Sequence, residues 1–239
     1  RRSASRCANP AVHPRILSPF GSNSGSRMGV ALRRSPMISI SNRLSAPASS
    51  LTFSLAWEFE VPLQQLAGLP LAVGVALAEA LAACGVQVQL KWPNDVLKDG
   101  SKLAGVLIET QAATGGIWAV IGIGMNLRMP DELEARIGRT VAAAPWLAQM
   151  NRSELMAALL DSLAAALQEF SQSGFKAFCA RWNRLHAWQG RPVEILDGGA
   201  TLHQGLAAGV DDGGRLLLDC AEGRITVVAG DVSLRTREC

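Results

Sequence analysis

The sequence predicts a mixed α/β (α+β) fold, one domain built from a mixed sheet with helices followed by a small β-barrel. Three observations predict it. Between residues 51 and 186, alternating β-favouring runs are interspersed with Ala- and Leu-rich stretches of helical period. After residue 190 the helical period gives way to five short apolar runs cut by Asp-Gly and Gly-Gly turns. The 239 residues, 49% hydrophobic and 18% charged, suffice for one sizeable domain plus a small one.

Leu51-Thr-Phe-Ser-Leu-Ala-Trp-Glu-Phe59 alternates and reads as a strand. After the break at Pro62, residues 63–84 read as a largely buried helix ending at Gly85 as a C-cap, with Pro70 separating a first turn from the helix proper. Its longest apolar run, 66–78, is closed by Glu79 after about thirteen residues, short of the roughly 18 a bilayer span needs, so it reads as a core helix. Residues 86–92 alternate again and 96–98 are a short strand. Asp99-Gly100-Ser101 then turns the chain into the apolar run 103–108, making a hairpin. Thr114-Gly115-Gly116 leads into a strand over 117–125, after which Met129-Pro130-Asp131-Glu132 reads as a helix start. Ser153 as N-cap, Glu154 in the first turn and Leu155, Leu159, Leu163 and Leu167 predict a helix over 153–171. A shorter helix over 174–186 carries Phe175, Phe178 and Trp182 on one face, and the five final strands fall at 192–196, 201–210, 215–220, 224–228 and 230–235.

The formal charge of +3 hides an asymmetry: residues 1–44 hold eight arginines and no Asp, Glu or Lys. Removing those eight from the 23 basic residues leaves 15 against all 20 acidic ones, so the body is acidic and no nucleic-acid partner is expected. The Arg-, Ser-, Pro- and Gly-rich residues 1–44 lack a periodic apolar face and read as a disordered or loosely folded leader. Such a leader suits an organelle transit peptide or an out-of-frame start in a GC-rich gene, and the excess of arginine over lysine favours the second. The five cysteines have no CxxC spacing, so neither disulfides nor a metal site is expected and a reducing cytoplasm fits best. The histidines, His13, His186 and His203, lie far apart and read as surface residues.

The chemistry concentrates in Lys91-Trp92-Pro93-Asn94-Asp95 and, six residues on, Lys102-Leu103-Ala104-Gly105-Val106-Leu107-Ile108-Glu109. Pro93 withholds an amide and ends the first strand, leaving Asn94 and Asp95 in a loop facing a cleft. The hairpin returns Lys102 to the same end of the sheet, beside Gly105, where a ligand can approach bare backbone. Charges alone favour a Lys–Asp ion pair on a solvated hairpin. A string as particular as Lys-Trp-Pro-Asn-Asp, however, arises by chance in a chain this long at on the order of 1 in 10,000.

That string and the strand after it resemble the signature of the biotin protein ligases. The resemblance extends over about four fifths of the chain, through Ser45-Ala-Pro-Ala-Ser-Ser-Leu-Thr-Phe-Ser-Leu, Ile121-Gly-Ile-Gly-Met-Asn126, Gly190-Arg-Pro-Val and Gly230-Asp-Val-Ser-Leu-Arg235. It implies a catalytic domain similar to class II tRNA synthetase cores at residues 45–188 and an SH3-like barrel at 189–239. The implied activity is that of a biotin–[acetyl-CoA-carboxylase] ligase: ATP and biotin, with Mg2+, form biotinyl-5′-adenylate, and a lysine of a biotin carboxyl carrier domain attacks it. By the same resemblance Lys102 binds biotin and neutralises charge near its carboxylate and the α-phosphate, Asp95 assists deprotonation of the incoming lysine, and Asn94 orients phosphate or the magnesium shell. Gly105 and Gly124 line the adenylate site and Asn126 contacts the adenine side, while Trp92 reads as core packing. No membrane partner is implied, and a homodimer stays open.

The family also carries a Gly-Arg-Gly-Arg-x-Gly-Arg loop and a biotin-ring segment ahead of its first strand. Residues 1–44 show only the scattered Ser26-Arg27-Met28-Gly29 and Arg33-Arg34, and no helix-turn-helix domain. The catalytic domain therefore reads as N-terminally incomplete, with weak or absent adenylate formation expected. Two rivals stand beside an intact ligase: a catalytically inactive member acting at most as a binding module, and a lipoate ligase, which the all-β C-terminal run disfavours.

Overall fold

Alternation of large apolar with small or polar residues turns the first half of the chain into a sheet. The computed structural model describes residues 15–16, 37–40, 50–127, 142–145, 147–230 and 232–236. Seven strands, β1 (Arg15–Ile16), β2 (Met37–Ile40), β3 (Ser50–Phe59), β4 (Gln89–Lys91), β5 (Asp95–Lys98), β6 (Ser101–Ala113) and β7 (Gly116–Asn126), pair in the order β1-β2-β3-β7-β6-β5-β4. The sheet is mixed: β1 and β2 are parallel and the other neighbours antiparallel. The inner face carries Phe53, Leu55, Val106, Ile121 and Ile123, all buried, while Ser54, Leu107, Gly122 and Gly124 point the other way.

Three helices are described: α1 (Leu69–Ala83), α2 (Arg152–Ser173) and α3 (Lys176–Leu185). A 3-10 turn, Leu63–Leu66, precedes α1, and Pro70 sits in the first helical turn, where its missing N–H costs nothing. Gly85 follows the helix at φ +78°, with Gly85 N–H donating to Ala82 O at 2.9 Å and Val86 N–H to Leu81 O at 2.8 Å. That pairing closes the orphan carbonyls in a Schellman cap. The whole stretch Leu63–Ala83 is longer than its apolar run suggested, and by length and composition it could cross a membrane. Most of it is buried within the protein, however, against the sheet and α2, and Ser162 Oγ donates to Ala76 O at 2.9 Å across that contact. Seventy-two per cent burial of its most apolar window identifies it as a core helix.

The cap of α2 differs from expectation. Asn151, in extended conformation, accepts a hydrogen bond from Ser153 N–H at 2.9 Å, so Asn151 caps the helix and Ser153 lies inside it. Both side chains suit the task, and the backbone turn at Asn151 decides between them.

The C-terminal strands, β8 (Pro192–Asp197), β9 (Ala200–Val210), β10 (Leu216–Cys220), β11 (Gly223–Val227) and β12 (Val232–Thr236), form an antiparallel sheet in the order β11-β10-β9-β8-β12. Its apolar face, including Val193, Ile195, Leu216 and Leu218, joins the same core as the first sheet. Asn183 of α3 fastens the two units by acting as a strand partner: its Nδ2 donates to Val210 O at 3.1 Å and its Oδ1 accepts from Val210 N–H at 2.8 Å.

Two further readings are corrected. His186 is not a surface residue: at 5% exposure it lies against Trp182, ring centroids 4.7 Å apart, because the chain turns inward there to bridge Leu90. Within residues 1–44, read as disordered or loosely folded, the apolar-rich Met37–Ile40 pairs antiparallel with β3. The rest of that segment and the helix start at 129–132 lie outside the described residues, apart from β1.

Candidate functional site

Strand register, more than sequence proximity, assembles the site. Lys91 of β4 lies opposite Asp95 of β5, Asp95 opposite Gly105 of β6, Gly105 opposite Gly124 of β7, and Gly124 opposite Thr52 of β3. Directly paired residues share a face, so one row across the outer sheet surface reads cation, anion, two glycines and hydroxyl. The next row on that face is Leu107, Gly122 and Ser54. The glycines leave bare backbone as the floor of a cleft of about 350 Å³ lined also by Asn94, Lys102, Thr52 and Ser54. A Cβ built on Gly124 would meet no atom within 4 Å, so the space above it is open.

Lys102 reaches this face through a bulge. Strict alternation would put Lys102, three residues before Gly105, on the opposite side of β6. The β5–β6 register shifts between Val96 and Leu97, which pair with Ala104 and Lys102, so Leu103 is the extra residue and is itself buried. The bulge reverses the phase and re-aims Lys102 over the glycine floor. There its Nζ lies 2.5 Å from Asp95 Oδ1, and a Cβ on Gly105 would crowd the same Nζ at 3.0 Å.

Asp95 is a strand residue rather than the loop residue expected, since the turn after Pro93 is short enough for β5 to begin at once. Both carboxylate oxygens are engaged: Oδ1 by Lys102 and Oδ2 by Lys91 at 3.6 Å. Asn94 does remain in the turn, where its Nδ2 donates to Val106 O at 2.8 Å and its carbonyl accepts from Val106 N–H at 3.0 Å, pinning the turn to β6. Trp92 is wholly buried, as packing predicts, and its Nε1 donates to Gly214 O of the C-terminal unit at 3.2 Å. Asn126, at the end of β7 opposite Ser50, does not line the cleft among the described residues.

Lys102 keeps 41% of its side chain exposed, as a residue open to ligand must. Lys98, beside the turn, is only 16% exposed and ion-paired to Asp99, the positive φ of Asp99 and Gly100 folding the carboxylate back on it. Lys91 is the charged member of the row that sequence reasoning passed over. Burial pushes its ammonium below the ordinary lysine value, Asp95 opposes this, and Arg235 and Lys102 add to it. Its only signal in the sequence was the i, i+4 spacing to Asp95 across the turn.

Chemically, the cleft offers a fixed cation, a carboxylate held on two sides and a floor of open peptide groups, which suits an elongated ligand carrying a carboxylate or phosphate. Residues 40–126 match the family model described as the biotin/lipoate A/B protein ligase family, and residues 190–235 match that of the biotin protein ligase C terminal domain. The bifunctional ligase/repressor BirA of Escherichia coli is 34% identical over 199 residues, 80% of this chain and 60% of that protein. The chain thus spans about 60% of the length of that relative. The biotin–[acetyl-CoA-carboxylase] ligase of Paracoccus denitrificans is 33% identical over 177 residues, 70% of this chain and 72% of that protein. The biotin protein ligase of Aquifex aeolicus shares the fold at TM-score 0.68 and 23% identity, covering 84% of this chain and 88% of that one. Its complex with biotin and ATP superposes at TM-score 0.63 and 26% identity, covering 78% and 79%.

Proposed function

We propose, given that this chain belongs to the biotin protein ligase family, that its outer-face cleft forms biotinyl-5′-adenylate and passes the biotinyl group to a lysine of a carboxylase carrier domain. The observation that carries this reading is Lys102 fixed by the bulge above the glycine floor, with Asp95 at 2.5 Å. In the first step a biotin carboxylate oxygen attacks the α-phosphorus of ATP and pyrophosphate leaves. In the second the carrier amine attacks the mixed-anhydride carbonyl, a proton is lost from nitrogen, and AMP leaves.

Each residue has a task that fits its geometry. Lys102 neutralises the carboxylate and phosphate oxygens as charge shifts between them, a preorganised cation over the glycine floor. Asp95 stands beside it to receive the proton of the incoming lysine, and Asn94 keeps the turn against β6 while flanking the cleft. Gly105 and Gly124 let the adenylate lie on the backbone, and Asn126, beyond them on β7, faces the adenine end. The residues present do not fit a protein-held magnesium ion. No group of three His, Cys, Asp or Glu side chains comes together among the described residues, and Asp95 is already paired to two lysines. Magnesium would arrive with the nucleotide, and no step is assigned to it.

The proposed catalytic domain is residues 45–188, with residues 189–239 as an SH3-like barrel and 1–44 as a leader. A reducing, cytoplasmic setting suits the free thiols of Cys84, Cys179 and Cys220. The direct test is biotin- and ATP-dependent labelling of a carrier domain by the full chain. Labelling is expected to be slow, adenylate formation being the weak step, and an absence of labelling even from preformed biotinyl-adenylate overturns the assignment. Calorimetric titration of a non-hydrolysable biotinyl-adenylate analogue localises it: Lys102→Ala should lose a charge-assisted contact of about 1.5–3 kcal/mol, a weakening of roughly ten- to a hundredfold. Lys176→Ala, at a side chain 78% exposed and away from the cleft, should bind as wild type. Equal affinities in all three would make Lys102 an ordinary hairpin lysine.

A further inference from the structure

We propose that Lys91 is a positioning residue for Asp95, holding its carboxylate toward Lys102 and the cleft from the side of the α3–β8 connection. The proposal rests on the reading of Asp95 and Lys102 just given. Three observations carry it. Lys91 and Asp95 are direct partners in the β4–β5 ladder, and each oxygen of Asp95 meets a different cation: Oδ1 Lys102 at 2.5 Å, Oδ2 Lys91 at 3.6 Å. With a cation beside each oxygen, turning the carboxylate plane away from this arrangement gives up one ion-pair contact, so the pair of lysines favours one orientation of the plane. The two cations also differ in access. Lys102 is 41% exposed and lines the cleft, whereas Lys91 is 13% exposed and does not, so Lys91 acts on a ligand only through Asp95.

The third observation is what holds Lys91. Its Nζ lies 5.1 Å from the centre of the Trp188 ring, within cation–π range. Trp188 belongs to the segment joining α3 to β8, which is tied to β4 by Ala187 N–H donating to Leu90 O at 2.9 Å. On the other side of β4, Trp92 is tied to Gly214. Lys91 therefore sits between the α3–β8 connection and an attachment of the C-terminal unit, and the groups facing its ammonium are Asp95, Lys102, Arg235 and the Trp188 ring. Burying a cation in such a place gains little stability, because an apolar side chain of similar size does as well. Orientation of Asp95 is what the charge supplies.

The experiment uses the full chain with Lys91→Met, Lys91→Arg, Asp95→Asn and the double variant Lys91→Met/Asp95→Asn. Transfer from preformed biotinyl-adenylate to a carrier domain is followed alongside thermal melts. Lys91→Met should lower kcat for transfer about tenfold or more, as misplacement of a reacting group does, with KM for the carrier and the melting temperature little changed. Lys91→Arg should recover most of the rate, and the double variant should be no slower than Asp95→Asn alone, since residues acting as a unit are not additive. Wild-type rates in Lys91→Met, a multiplicative loss in the double variant, or a rate loss that tracks a fall in melting temperature each overturn the assignment. Should Lys91→Met not fold, Trp188→Leu removes the ring that seats the ammonium, and an undiminished rate there overturns it equally. A wild-type rate in Asp95→Asn instead removes the reading of the cleft on which the assignment stands.

Discussion

Gly124 separates ligand binding from stability at a single position. A methyl there would meet no protein atom within 4 Å but would stand in the cleft. Gly124→Ala should therefore leave the melting temperature unchanged or slightly raised, since alanine narrows the unfolded ensemble, while the adenylate analogue binds at least about tenfold more weakly. Undiminished affinity would move the ligand off the glycine floor. Gly105 answers differently because a Cβ at that site would press on Lys102 Nζ at 3.0 Å. Both glycines are legible in the sequence as small residues in strands, but only their pairing shows that they form one floor.

The elements are held by short-range devices of ordinary strength. Asn151 caps α2 through Ser153 N–H, and Asn151→Ala should cost about 1 kcal/mol in chemical denaturation. An equal cost from Ser153→Ala, with none from Asn151→Ala, would restore Ser153 as the cap. The segment after α3 adds a pH dependence. Burial holds His186 below the ordinary histidine value, opposed by its contact with Gln189. The unfolded chain therefore takes up a proton near pH 6.5 before the folded one does, and the unfolded state gains as the pH falls through that value. Stability from this group is complete above about pH 6.5 and lost below it, toward the lower folded pKa. Melts of wild type and His186→Asn between about pH 7.5 and 5 should show a steeper acid loss in wild type; parallel curves would remove His186 from the balance.

At the scale of the molecule, the C-terminal sheet is joined to the strand that carries the signature. Gly214 accepts the Trp92 Nε1 hydrogen bond at φ +82°, and a Cβ there would meet Gly68 Cα at 2.9 Å. Gly214→Val combines a left-handed backbone, about 1–2 kcal/mol for a side chain with a Cβ, with a clash between two backbones. It should lower the melting temperature and the labelling rate together, because the turn holding Gly214 also holds Trp92. A lowered melting temperature with an unchanged rate would show that the seam serves stability alone.

By itself the sequence determined the order and kind of the described elements from residue 50 on, since hydrophobic period and Gly, Pro and Asx punctuation are local signals. It also determined the family, because Lys91-Trp92-Pro93-Asn94-Asp95 and the strand from Lys102 are too particular to be shared by chance. The tertiary structure decided what those residues face. The sequence brings Lys102 to the same end of the sheet as Asp95 and Gly105, but strict period-2 alternation would face it the other way, and only the extra residue Leu103, visible as a register shift against β5, turns it toward them. His186 and Lys91 were misread or passed over for a related reason: their burial comes from the 186–188 segment docking on β4, a contact across about a hundred residues that no local pattern encodes. Local sequence sets which face a side chain prefers, whereas pairing register and domain packing set what that face meets.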